Sequence, residues 1–402
     1  MISVGIESDS LDELSRLLDT LGVDAVARVQ MSERSVNPAT YIGKGKLLEV
    51  KQQVDDLKAD VVALDVELSP NQLRNLEKAL GKPVLDRSGV IIEIFSQHAR
   101  SKESKTQVAI ARLQYLMPRL TGMWTHFERQ RGGGVGQRGM GEKQIEVDRR
   151  LIKDRLAVLK KRLKDVENER AIQRAHRTEV FKVALVGYTN AGKSTLLNAL
   201  THSKVLAEDK LFATLDPSVR MLDPDCRPPI VLIDTVGFIS RLPHALVASF
   251  RSTLEELHEA DLLLHVVDGS SNHAREQYEV TEKVLEELGV KDKPQIPILN
   301  KIDLIDQPAA RNRARIVAPG AMAVSALKEK DIEKVRQAIL SYFQSKMLQM
   351  DLMIPYAQSK LEAQMHAVAQ VETKKHLEKG TFYRIRIPEG LAKKLNLARF
   401  KT

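Results

Sequence analysis

The chain has 402 residues, 43% of them hydrophobic and 29% charged, a balance that supports two to four soluble domains with real cores and leaves no uncharged apolar run of membrane-spanning length. Its single cysteine, Cys226, excludes an internal disulfide and a cysteine-built metal site, and with no secretory n-region in the sequence a cytoplasmic monomer is expected. The formal net charge of +9 points to a polyanionic partner, with surface lysines that serve only solubility as the competing explanation.

Residues 1–98 alternate short β-like runs with helical patterns and read as a small α/β domain with parallel strands. Strands are expected at Val23–Val29, Val61–Leu64 and Val90–Phe95, and helices at Leu11–Leu18, Lys46–Leu57 and Pro70–Leu80. Ser69 before Pro70 is a strong helix start, because serine caps free amides and proline is pre-set for a first turn. The run Tyr41-Ile42-Gly43-Lys44-Gly45-Lys46 reads as a glycine turn or as an anion loop that lacks the G-K-S/T ending.

Residues 99–177 carry two helical registers, Lys102–Leu120 and Ile145–Ala175, separated by R-G-G-G-V-G-Q-R-G-M-G-E-K from Arg131 to Lys143. That stretch is too rich in glycine for either helix, so an antiparallel helical hairpin with a long glycine-rich tip is predicted. Eleven Lys or Arg face five Asp or Glu between His98 and Arg150, which concentrates the basic excess here. The tip is either a linker or a loop that carries Arg131, Arg138 and Lys143 to a nucleic-acid backbone. Gly134, Gly136 and Gly139 fit G-x-G-x-x-G, but no apolar strand leads into them, which argues against a dinucleotide site.

Residues 178–345 alternate strand and helix, which predicts a mostly parallel sheet with ligands gathered at its C-terminal strand ends. The strands fall at Phe181, Ile230–Ile233, Leu262–Val267, Ile296–Leu299 and Ala321–Val324, and the helices around Ser194, Leu246, Glu276 and Ile332. Gly187-Tyr188-Thr189-Asn190-Ala191-Gly192-Lys193-Ser194-Thr195 holds the phosphate-loop pattern G-x-x-x-x-G-K-S between a strand and a helix start. Its glycines let backbone amides close around phosphate oxygens, Lys193 would reach the β- and γ-phosphates, and Ser194 would ligate Mg²⁺. In Asp234-Thr235-Val236-Gly237 a carboxylate meets the Mg²⁺ water shell and a glycine amide the γ-phosphate. Thr214 is the only threonine between Thr201 and Thr235 and is the expected second switch ligand to Mg²⁺.

Base identity is read from Asn300-Lys301-Ile302-Asp303, where a carboxylate accepts both guanine N1–H and N2–H, hydrogen bonds that adenine does not supply. Ser325-Ala326-Leu327 follows another strand and backs guanine O6 through the Ala326 N–H. GTP is therefore expected over ATP, although Lys301 and Ser325 taken singly also read as surface residues. Small GTPases usually place the water-orienting glutamine after D-x-x-G, and here that position is Phe238. A phenyl ring cannot orient water, so slow intrinsic turnover is expected. Residues 346–402 mix one helix, Ser359–Ala369, with short strands at Val371 and Phe382–Ile387, a small α+β C-terminal domain.

The chain resembles HflX, a family of ribosome-associated GTPases of the translation-factor class, over nearly its whole length. The resemblance rests on Gly187–Leu200, Phe212–Pro217 and Asp234–Ile239, and outside that domain on L-S-P-N-Q-L-R-N-L-E (Leu68–Glu77) and G-G-G-V-G-Q-R-G-M-G-E-K-Q-I-E-V-D-R-R (Gly132–Arg150). It implies a P-loop GTPase domain behind a small α/β domain and a helical hairpin that grip the large ribosomal subunit. It further implies GTP hydrolysis stimulated by the ribosome and the splitting or rescue of stalled ribosomes, with Arg131, Arg138 and Lys143 as contacts to rRNA phosphates. A GTP-gated RNA-binding switch in which hydrolysis is incidental is the alternative. Asn190 resembles the phosphate-loop asparagine of GTPases that bind K⁺ beside the nucleotide; simply holding the loop is its other reading.

Overall fold

The structure is a computed structural model that describes residues 1–5, 8–31, 36–120, 138–175, 180–201, 211–212, 218–240, 256–306, 312–314 and 316–402. The chain forms two compact units, one of Met1–Arg170 with Glu208–Asp216 and Arg241–Ser252, the other of Ala171–Ala207, Pro217–Ser240 and Thr253–Thr402.

In the first unit, strands β1 (Ile2–Gly5), β2 (Ala27–Gln30), β3 (Val62–Leu64) and β4 (Val84–Asp86) pair in parallel in the order β2-β1-β3-β4. Helices α1 (Ser8–Thr20), α2 (Lys44–Asp56), α3 (Pro70–Leu80) and α4 (Arg87–His98) accompany them. The expected cap of α3 forms as a full capping box: the Ser69 hydroxyl accepts from Gln72 N–H, and the Gln72 side chain accepts from Ser69 N–H. Gly43 caps α2 at φ −66° and Gly45 lies in its first turn, so the glycine-lysine run opens a helix.

The strand expected at Val90–Phe95 is instead the middle of α4. Asp86 starts that helix by accepting from Gly89 N–H at 2.8 Å, and Val90, Ile91, Ile94 and Phe95 are all buried. A helix enclosed on most sides has a continuous apolar run, which periodicity alone does not separate from a buried strand.

Helices α5 (Lys102–Leu116) and α6 (Arg138–Ala175) pack through Ile110, Leu156 and Leu159, flanked by Leu113, Met117, Ile152 and Leu163. Helix α6 begins at Arg138, earlier than the expected Ile145, so the second half of the glycine-rich stretch is helical backbone. There glycine alternates with Arg, Met and Glu, all good helix formers, and the cost of about 1 kcal/mol per glycine is carried by a long continuous helix. Arg131 lies outside the described residues, while Arg138 and Lys143 occupy the first turns of α6.

The far end of α5 is fastened to the sheet. Tyr115 donates to Asp86 Oδ1 (2.8 Å), and Arg119 donates to Asp86 Oδ2 (2.9 Å) and to Leu68 O (3.0 Å). Leu68 N–H in turn donates to Asp86, which gives the L-S-P-N-Q motif a structural reason: it starts α3 and its first residue is bonded to Asp86 and Arg119.

The second unit contains a six-stranded sheet in the order β10-β9-β8-β5-β7-β6. Its strands are β5 (Phe181–Val186), β6 (Ser218–Met221), β7 (Ile230–Asp234), β8 (Leu262–Asp268), β9 (Gln295–Asn300) and β10 (Met322–Ala323), all parallel except β6, which runs antiparallel to β7. Helices α7 (Lys193–Thr201), α8 (Ala274–Glu287) and α9 (Glu329–Lys346) belong to it. Val183, Leu185, Leu196, Leu232, Leu264 and Phe343 share one core cluster, and Ala184, Val186, Leu263 and Leu285 a second. The helix expected around Leu246 lies outside the described residues.

Beyond α9, β11 (Met347–Ile354), β12 (Gln370–Leu377) and β13 (Gly380–Pro388) form an antiparallel sheet ordered β11-β13-β12, with α10 (Ser359–Val368) and α11 (Glu389–Lys394). Leu352, Ile354, Met365, Tyr383, Ile385 and Ile387 build its core. Among the described residues no helix is long and apolar enough to cross a membrane.

Candidate nucleotide-binding site

The site grows from β5, the strand between β8 and β7, whose residues Val183–Val186 are fully buried. Gly187 ends it at φ 145°, and a Cβ there would stand 2.0 Å from Val266 O, so only glycine fits. Asn190 takes φ 59°, a left-handed turn that asparagine tolerates better than most residues. Gly192 follows at φ 89°, where a Cβ would meet Asn300 Nδ2 at 2.3 Å.

Helix α7 then starts at Lys193, with Ser194 and Thr195 in its first turn. Lys193 is 6% exposed, and its ammonium donates to Gly187 O (3.1 Å) and Tyr188 O (2.9 Å). Burial pushes its pKa down to about 8, with the Asp234 carboxylate pulling the other way. An ammonium held against its own desolvation is primed to favour an incoming phosphate.

Asp234, at the end of β7, is fully buried, and Ser194 Oγ donates to its Oδ2 at 2.6 Å. Thr235, which the motif reading passed over, anchors the same turn by donating to Leu185 O at 2.6 Å. Three residues on, the backbone of Phe238 clasps the phosphate loop: Phe238 N–H donates to Gly187 O (3.1 Å), and Thr189 N–H donates to Phe238 O (2.7 Å). The Phe238 ring is 3% exposed and packs with Ala184, Val186, Leu257 and Leu263. It is a core residue, enclosed by apolar side chains. Gly237 has no room for a side chain, since a Cβ would stand 2.8 Å from Thr189 Cα and 2.9 Å from Lys193 Nζ. The Tyr188 hydroxyl, another residue whose part the motif did not reveal, accepts from Ser240 N–H at 2.8 Å.

The base-reading side joins this framework through Asn300. Its Nδ2 donates to Ala191 O (3.0 Å) and its Oδ1 accepts from Ala326 N–H (3.0 Å), so one buried side chain links phosphate loop, β9 end and the loop after β10. The Ala326 N–H that was assigned to guanine O6 is thus already engaged, and serves a base only as a shared donor. Lys301 adopts φ 61° and pairs with Asp268 Oδ2 at 2.9 Å, while Asp303 lies exposed in the short turn Ile302–Leu304. Ser325 is fully buried; its N–H donates to Asp331 Oδ2 (3.1 Å) and its Oγ accepts from Leu327 N–H (3.3 Å), which leaves Leu327 77% exposed. The surface readings of Ser325 and Lys301 are therefore replaced by structural ones.

Asp331 and Asp268 were missed, although each carried a signal: an acidic residue in a helix first turn and a carboxylate ending an apolar strand. Thr214 lies outside the described residues. All the other nucleotide-site residues gather at the C-terminal ends of β5, β7, β9 and β10.

An N-K-x-D strand end tied by a side chain to a phosphate loop places the second unit in the class of P-loop GTPases. Comparison with known proteins agrees. Residues 8–96, 98–177 and 182–301 match families described as GTP-binding GTPase N-terminal, GTP-binding GTPase Middle Region and 50S ribosome-binding GTPase. The GTPase HflX of Gluconacetobacter diazotrophicus is 42% identical over 416 residues, spanning 94% of this chain and 90% of its own. That of Escherichia coli is 39% identical over 386 residues, spanning 95% and 90%. A crystal structure of a GTP-binding protein from Sulfolobus solfataricus in complex with GDP aligns with 85% of this chain and 98% of its own at 26% identity and TM-score 0.47. The chain belongs to the HflX GTPase family.

Proposed function

We propose that the second unit binds GTP and GDP with Mg²⁺ and hydrolyses GTP slowly by itself. The first unit then holds the rRNA of the large ribosomal subunit, so that the bound triphosphate supports splitting or rescue of stalled ribosomes in the cytoplasm. The observation that carries the guanine reading is the Asn300 bridge between Ala191 O and Ala326 N–H, which couples the phosphate loop to the base-reading turns. Ser194 Oγ and the Asp234 carboxylate are the hard oxygen donors that Mg²⁺ takes. Thr214 supplies a further oxygen. The metal, when bound, neutralises phosphate charge. Asp303 accepts guanine N1–H and N2–H, and Asn190 is the residue that would face a K⁺ ion.

The ribosome part rests on the likeness of residues 182–301 to 50S ribosome-binding GTPases and on the basic excess between His98 and Arg150. Arg131, Arg138 and Lys143 are the phosphate contacts of this reading. The deciding experiment is phosphate release from GTP with and without purified large subunits. Slow release alone and faster release with subunits are expected, and no release in either condition overturns the enzyme reading.

The burial of Phe238 favours one alternative, in which bound GTP does the work and hydrolysis is incidental. A non-hydrolysable GTP analogue that sustains repeated rounds of ribosome release would establish it; release limited to a single round would exclude it.

A further inference from the structure

Residues 235–240, which follow β7, are fastened at three points, all within the second unit. Thr235 Oγ1 donates to Leu185 O on β5. Phe238 forms a parallel bridge with Tyr188, donating to Gly187 O and accepting from Thr189 N–H. The third point is a side chain of the phosphate loop itself, the Tyr188 hydroxyl, which accepts from Ser240 N–H at 2.8 Å. Phosphate recognition gives no reason for a tyrosine there, because backbone amides, Lys193 and Ser194 supply that chemistry. Tyr188 is 8% exposed, so protein rather than solvent surrounds its side chain.

Gly237 lies between these points, so close to the phosphate loop that a Cβ would stand 2.9 Å from Lys193 Nζ. Gly187 O accepts from Lys193 Nζ and from Phe238 N–H, each at 3.1 Å, so a shift of this stretch is felt by the lysine that reaches the phosphates. With the Phe238 ring enclosed in the apolar core, the stretch meets a γ-phosphate with its backbone, and Gly237 N–H is the donor the D-x-x-G motif assigns. A donor fixed in advance stabilises developing charge without having to reorganise. We propose that Tyr188 is a positioning residue for GTP hydrolysis, whose hydroxyl holds the Ser240 end of the stretch so that Gly237 N–H already stands where the γ-phosphate arrives. This rests on the reading that the second unit binds and hydrolyses GTP. GDP has no γ-phosphate, so the hold bears on GTP and leaves GDP binding alone. By linkage, a bound triphosphate strengthens the Tyr188–Ser240 bond by the factor that the bond strengthens GTP binding.

Tyr188→Phe in the full chain deletes the hydroxyl and keeps the ring, and Ser240 is half-buried, so water can take over its N–H. The Kd of a non-hydrolysable GTP analogue should rise about threefold to tenfold, the worth of one hydrogen bond. Single-turnover hydrolysis should slow by at least that factor, while the Kd of GDP stays within about twofold and Tm holds. A loop merely loosened would weaken both nucleotides alike, and that outcome overturns the proposal. An unchanged rate with an unchanged ratio of GTP to GDP affinity overturns it too. Amide exchange at Ser240 in the unaltered protein supplies a measurement that needs no variant: slower exchange with the analogue than with GDP is expected, and equal exchange refutes the coupling. An unaltered protein that binds neither nucleotide would instead remove the GTP reading, and this inference with it.

Discussion

Replacing Asn300 with alanine probes the junction on which the site depends. Asn300 is 2% exposed and makes two side-chain hydrogen bonds of 3.0 Å, to Ala191 O and from Ala326 N–H. Alanine deletes both and strands a buried carbonyl and a buried amide, each worth about 1–3 kcal/mol when left unsatisfied. Water admitted to the gap recovers part of this, so a total of about 2–4 kcal/mol is reasonable. The Nδ2 atom also occupies the space above Gly192, where a Cβ would stand 2.3 Å away, so its loss frees the phosphate loop at its tightest point.

Part of that energy appears as lower stability of the free protein and part as weaker nucleotide binding. At 1.4 kcal/mol per tenfold, the Kd for both GTP and GDP should rise by about 10- to 300-fold. The ratio between the two should hold, because neither lost bond touches the γ-phosphate. Titration with fluorescent guanine nucleotides, alongside a thermal melt, measures both effects. Affinities within about twofold of the unaltered protein, with an unchanged Tm, would refute the bridging role.

Other outcomes follow from single groups. Lys193 has a pKa lowered to about 8 in the fold, below its ordinary 10.5. Between those values the unfolded chain carries more protons, so this group's contribution to stability rises with pH across that window and its penalty is complete below it. A phosphate beside the ammonium restores the proton, so nucleotide binding above pH 8 should take up protons; calorimetry in two buffers of different ionisation enthalpy, giving equal heats, would contradict this. Asp303→Asn should move preference from guanine to xanthine, because an amide pairs with the xanthine oxygen, and unchanged GTP selectivity would remove Asp303 from the base-reading role. Gly237→Ala, with no space beside Thr189 Cα and Lys193 Nζ, should weaken GTP more than GDP, which parallel titrations would show. Affinity for large subunits should fall steeply with salt, and Arg131→Gln with Arg138→Gln should flatten the slope by about two units; an unaltered slope would place the RNA contacts elsewhere.

Much of the site was legible because its chemistry is local. A phosphate loop needs glycines, a lysine and a hydroxyl within one turn of chain, and the Ser69-Pro70 start of α3 was readable for the same reason. The apolar run Val90–Phe95 was misread because burial on most sides erases the helical period, and β6 was missed because Ser218–Met221 is only four residues long, and its two alternating apolar side chains, Val219 and Met221, are too few to establish a period. Strand β11 follows α9 without a break, so no turn signal separated the two.

The sequence by itself determined which nucleotide chemistry is present, since the backbone and side-chain requirements of phosphate and guanine are met by residues adjacent along the chain. Only the tertiary structure decided that Phe238 is core, that Asn300 fastens three loops, and that Leu211 and Phe212 are seated against α1 and α4. Those outcomes depend on which surfaces meet across long separations in the chain, and a buried contact of that kind leaves no pattern in the residues on either side of it.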